Sequence, residues 1–128
     1  MLTMTVTMAR QKEMDEMRAF MSDTVPAEPA EGLPGVRIRW IIGKNVDAPN
    51  FAMRIVEVEP GYATAYHEHP WEHEVYVLEG QGYVRAADDK ADLVPGMCVF
   101  TKPGEAHCFA NDGDALLRFV CVIPWPDA

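Results

Sequence analysis

The chain is predicted to fold as an all-β antiparallel sandwich or barrel, and three observations carry that prediction. Eight short runs rich in β-branched and aromatic residues follow one another from Val36 onward. Proline, glycine, asparagine and aspartate punctuate them at near-regular spacing. Within several runs apolar and polar residues alternate with the period of two that a half-buried strand requires.

Ahead of the strands, residues 8–21 place Met14, Met17 and Met21 at helical spacing among charges, which predicts one short N-terminal helix. Residues 22–35 are proline-rich and read as an extended arm. Residues 1–35 are therefore assigned to helix and arm, and residues 36–128 to a single β-barrel domain. The expected strands are 36–42, 51–59, 64–69, 73–80, 82–87, 98–102, 107–111 and 115–123. Turns at Ala48-Pro49-Asn50, Pro60-Gly61, Pro70, Gly80-Gln81-Gly82, Asp88-Asp89-Lys90, Pro95-Gly96, Pro103-Gly104 and 111–114 separate them.

Parity sorts faces. His73, Val75 and Val77 are expected inward, with Glu74, Tyr76 and Leu78 outward. In the last strand Leu117, Phe119, Cys121 and Ile123 point inward, while Arg118, Val120 and Val122 point outward. With Arg54 outward, Phe51, Met53 and Ile55 would point inward. Both outer faces carry apolar residues, so a cover is expected, either residues 1–35 or a second copy; a homodimer is favoured.

Composition narrows the function. The residues are 48% apolar and 24% charged, as in soluble globular proteins. A formal charge of −9 would repel a phosphate backbone, so no nucleic-acid partner is expected. No apolar run reaches the roughly eighteen residues of a membrane span, and no secretory signal is expected at the N-terminus. Cys98, Cys108 and Cys121 form no C-x-x-C pair, which suits reduced thiols and a cytoplasmic location.

The four histidines form one pattern. His67, His69 and His73 share parity, and His107 follows thirty-four residues later. Three imidazoles on one face, closed by a fourth from a neighbouring strand, would surround one divalent ion. The absence of thiolates disfavours a structural zinc site.

The stretch from Gly61 to Gly80, with His67-x-His69 and then His73, resembles the first motif of the cupin family of jelly-roll β-barrels. The usual pattern has a glutamate where His73 stands, which makes Glu74 the alternative ligand that the resemblance implies, though its parity is opposite to that of His67 and His69. Gly96, Gly104, His107 and Asn111 match the second, with Lys102 at the usual proline. The run His67-Glu68-His69-Pro70-Trp71-Glu72-His73-Glu74 is closer still to the small single-domain manganese cupins with four histidine ligands. Residues 47–54 and 119–124 look similar to that group as well. The resemblance implies one metal ion on His67, His69, His73 and His107, most readily Mn, with Fe, Co, Ni, Cu or Zn as alternatives. It also implies two adjacent open coordination positions and oxidative chemistry with oxygen or peroxide.

The inward residues Phe109, Phe119 and Cys121 are pocket candidates, and their apolar character suits a small hydrophobic or aromatic substrate. Pro70 and Trp71 are expected to shape the bend before His73 and are given no chemistry; Tyr62, Tyr66 and Tyr83 are candidate hydrogen-bond partners at the barrel mouth. The expected function is a manganese- or iron-dependent oxygenase. A non-redox isomerase or lyase, and a binding cupin without turnover, are the alternatives.

Overall fold

The computed structural model describes residues 17–125, and within them nine strands form two antiparallel sheets. The strands are β1 (Glu28–Pro29), β2 (Val36–Ile42), β3 (Phe51–Val58), β4 (His73–Glu79), β5 (Gly82–Ala86), β6 (Lys90–Leu93), β7 (Cys98–Thr101), β8 (His107–Ala110) and β9 (Leu117–Pro124). The larger sheet runs β1-β2-β3-β9-β4-β7 and the smaller β6-β5-β8. Their inner faces close on one apolar core, in which Val36, Val56, Val77, Leu117 and Phe119 of the first meet Leu93 and Phe109 of the second. The Phe109 and Phe119 rings, 4.6 Å between centroids, join the two layers.

Seven of the eight expected strands form. The exception is 64–69, which meets β8 through the isolated bridge of His67 to His107 and the Thr64 amide on the Phe109 carbonyl at 2.9 Å, with a second bridge just before it from Ala63 to Ala110. A side chain competes with the ladder there: the Phe109 amide donates to the Thr64 hydroxyl at 2.9 Å instead of to a backbone carbonyl. Two strands were not expected. β6 reads Lys-Ala-Asp-Leu and is held by pairing to β5 rather than by its own propensity, and β1 adds the arm to the edge of β2.

The expected helix 8–21 is not helical where it is described, at 17–21; residues 8–16 lie outside the described residues. Met17 and Met21, the described part of the methionine stripe, are exposed and have no surface to pack on, and short helices depend on such packing.

Parity holds in β4 and β9. Val75, Val77, Leu117, Phe119, Cys121 and Ile123 are all buried, while Glu74 and Tyr76 are exposed. A register shift between Val77 and Glu79 then brings Glu79 to the outer face beside Arg118. In β3 the expectation is reversed. Ala52, Arg54, Val56 and Val58 share the inner face, and Phe51, Met53, Ile55 and Glu57 the outer one. The reason is the charge on each parity class. Glu57 is buried on the outer face among Arg37, Arg39 and Arg118, with N···O distances of 3.1–3.5 Å. That cluster outweighs the cost of turning Arg54 inward.

Candidate metal centre

β4 and β8 each begin with a histidine at the same end of the barrel, and the loop before β4 brings the other two. His107 opens β8 and His67 lies opposite it in an isolated bridge. His69 follows on the same loop, anchored where its carbonyl accepts the Gly104 amide at 2.7 Å. His73 opens β4 opposite Thr101 of β7. The four rings form a continuous chain of contacts. Centroid separations are 4.4 Å for His67–His69, 5.2 Å for His69–His73 and 5.3 Å for His73–His107. The cluster grades from an exposed His67 through half-buried His69 to buried His73 and His107. The convergence is tertiary, because the bend at Pro70–Trp71 interrupts the single extended run on which common parity would operate.

Each ring has its own support. His107 Nδ1 donates to the Glu105 carbonyl at 2.8 Å. A carbonyl can only accept, so the proton sits on Nδ1 and the Nε2 lone pair is left free, the tautomer a metal ligand needs. His69 is stacked on Trp71, 4.7 Å and 13° apart, so Trp71 has a positioning role that the sequence did not suggest. His73 Nδ1 lies 3.4 Å from Cys121 Sγ, while its Nε2 is buried with no hydrogen-bond partner. Burial first, then the charge of Arg54 and the other histidines, lowers the His73 pKa to about 3. Burial also lowers that of His69, helped by His67, His107 and Arg54. Both imidazoles are therefore neutral at neutral pH, the form that coordinates.

Among the described residues no group of three or more His, Cys, Asp or Glu side chains is posed to grip a metal ion. The rings are gathered, while their donor atoms do not meet at a point. The residues nonetheless fit a divalent metal. Buried polar atoms are nearly always paired, yet Nε2 of His73 has nothing to bond. Rotation about an imidazole χ2 is soft enough to turn neighbouring rings toward a shared point.

The pocket candidates all lie in the core beside this cluster. Phe109 meets His107 edge to face at 5.7 Å, and Phe119 packs behind it. Cys121 is buried, and burial raises its pKa against the opposing pull of Arg54, so it stays a thiol. The three tyrosines are engaged elsewhere. Arg85 lies over Tyr66 and Lys90 over Tyr83, and Tyr62 packs on Gly35. The residue missed by sequence reasoning is Arg54, whose guanidinium reaches Cys121 Sγ at 3.6 Å. The two glutamates of opposite parity in the same run, Glu57 and Glu59, were the signal that could have found it.

Residues 54–123, more than half the chain, match the Cupin domain family model. The chain belongs to the cupin family. This cupin is 32% identical over 69 residues to the oxalate-binding protein of Thermotoga maritima, spanning 53% of its own length and 57% of that relative. It thus covers little more than half of the curated relative it matches. Among solved structures, the polyketide cyclase RemF from Streptomyces resistomycificus superposes with a TM-score of 0.81 at 31% identity, over 87% of this chain and 81% of the other. A sugar phosphate isomerase of the cupin superfamily from Silicibacter pomeroyi shares the fold, with a TM-score of 0.74 at 21% identity over 84% and 76%. No helix among the described residues is long and apolar enough to cross a membrane.

Proposed function

We propose that this cupin binds one divalent transition metal, manganese first and iron second, on His67, His69, His73 and His107, and uses it to oxidise a small apolar or aromatic molecule. The observation that carries the reading is the buried, unpartnered Nε2 of His73 beside a His107 whose Nε2 is freed by the Glu105 carbonyl. When bound, the metal would supply a +2 charge uncompensated by anionic ligands, together with sites for oxygen or peroxide beside the substrate. The chain's own residues do the rest. Trp71 holds the His69 ring, Phe109 and Phe119 form an apolar wall that excludes water, and neutral His73 offers no proton to compete with a cation.

A second reading, non-redox ring closure or isomerisation, is favoured by the likeness to the polyketide cyclase. Such chemistry usually needs a positioned general base. With the four histidines taken up as metal ligands, the inner faces of β3, β4 and β9 offer no lysine or carboxylate to act as that base. The oxidative reading therefore leads.

Metal content of the purified chain and of His73→Ala, with oxygen uptake across small alkenes, diketones and phenols, tests it. Metal bound by the wild type and lost from the variant, with turnover that requires oxygen or peroxide, is the expected result. Phe119→Ala and Cys121→Ala should alter product or rate at constant metal content. Equal turnover under strict anaerobiosis without peroxide would replace oxidation with the second reading. Binding without any turnover would align the chain with its oxalate-binding relative.

A further inference from the structure

We propose that Arg54 is the anchor for a substrate carboxylate, so that the site takes a small apolar or aromatic acid. This rests on the histidine cluster being the place of action, and it adds the polar half of the ligand.

A guanidinium carries five N–H donors in a planar fork and keeps its charge at any physiological pH. Around Arg54 those donors find little. Nη2 reaches a thiol sulfur at 3.6 Å, Cζ lies 5.3 Å from the centroid of the Trp40 ring, and Nε is buried with no acceptor. Among the described residues no carboxylate stands within ion-pair distance of Arg54. The contrast lies on the same strand. Three residues on, Glu57 gathers three arginines on the outer face, while the inward cation is given none. A cation partly withdrawn from water, with its Nε buried and no counter-charge beside it, is left under-solvated, which makes an anionic ligand the natural complement.

Its position is at the histidines. Trp40, Arg54, Cys121 and Val75 stand opposite one another across β2, β3, β9 and β4. His73 is the next inward residue beside Val75, and the Cys121 sulfur lies between the Arg54 guanidinium and the His73 ring. The charge of Arg54 is felt at His69, His73 and Cys121. Four of the five buried side-chain polar atoms left unpartnered among the described residues are Arg54 Nε, Trp71 Nε1, His73 Nε2 and Thr101 Oγ1, all at or next to this cluster. Arg54 is itself half-buried rather than sealed, so a ligand can reach it. Planar, two-pronged pairing with a carboxylate is the arrangement a guanidinium fork favours. The apolar wall of Phe109 and Phe119 would receive the remainder of the molecule.

Benzoate and its neutral isostere benzamide are suitable probes, titrated into the full chain as purified and again after chelator treatment. Trp40 against the guanidinium serves as a fluorescence reporter, and calorimetry supplies the affinity. Benzoate should bind both preparations at least tenfold more tightly than benzamide. Arg54→Gln should lose tenfold or more of the benzoate affinity while keeping benzamide affinity and metal content. Arg54→Lys, with charge but no fork, should fall between. In the unmutated chain the Arg54 Nε–H resonance should shift with benzoate and not with benzamide, a readout that does not depend on any variant folding. Equal benzoate affinity in wild type and Arg54→Gln, no preference over benzamide, or no benzoate binding would overturn the proposal. Benzoate binding that vanishes with the chelator and ignores Arg54→Gln would assign the anion to the metal alone, overturning the role of Arg54 while leaving the metal reading intact.

Discussion

Replacing His73 with leucine should stabilise the metal-free protein and abolish its stabilisation by metal. His73 is 5% exposed, and its Nε2 has no hydrogen-bond partner. An unsatisfied buried polar atom costs about 1–3 kcal/mol. Leucine of similar volume removes that cost and gives up the 3.4 Å contact of Nδ1 with Cys121 Sγ, a weak interaction of roughly 0.5–1 kcal/mol. The net expectation at neutral pH is about 1 kcal/mol in favour of the variant, or about 3–5 °C in Tm for a chain of this size. Acid should widen the gap. The unfolded chain takes up the His73 proton near 6.5 and the folded one only near 3. Between those values the unfolded state binds more protons, so the wild type loses stability as pH falls, and His73→Leu lacks that contribution. Manganese at a hundredfold excess over Kd should then raise the wild type by about 2.7 kcal/mol and leave the variant little changed. Differential scanning calorimetry at several pH values, with and without manganese, reads all three effects. A metal-free variant less stable than wild type, still stabilised by manganese to the same extent, would refute the reasoning.

Trp71→Ala should keep the fold, since Trp71 is only half-buried, but should weaken metal affinity about tenfold by freeing the His69 ring, as measured by competition with a chromogenic chelator. Glu57→Gln should cost about 2–3 kcal/mol in urea unfolding, below the usual figure for a broken buried pair because its arginines are partly exposed. Tyr76 and Phe100 are 49% and 61% exposed on the outer face, where Leu78, Val120 and Val122 are half-buried. Light scattering should give a homodimer through that face, and Tyr76→Asp should give a monomer.

The parts of the structure that were legible in advance depend on short-range rules. Turn residues and alternation located seven strands, since an i, i+2 pattern and a glycine at positive φ, as at Gly80 and Gly96, are properties of a few consecutive residues. The inward faces of β4 and β9 followed from the same rule, including His73 inward and Glu74 outward. The helix 8–21 was misread where it is described because spacing reports a stripe and not whether a surface exists to receive it. β6 was overlooked because its charges hide a strand that only its neighbour β5 stabilises.

The sequence by itself determined the all-β class, the family and which four side chains belong together, because histidine is scarce here and its spacing is a local fact. Only the tertiary structure decided how those rings meet, because the bend at Pro70–Trp71 breaks the run on which parity operates. It alone revealed the Trp71 stack and the inward Arg54. Which face of β3 turns inward depends on where the cationic partners of Glu57 lie, and those come from other strands, Arg37 and Arg39 from β2 and Arg118 from the far end of the chain in β9. The two glutamates of that run, Glu57 and Glu59, weigh against an outward Arg54, but the pairing that settles the face joins separate strands, and no window of neighbouring residues contains it.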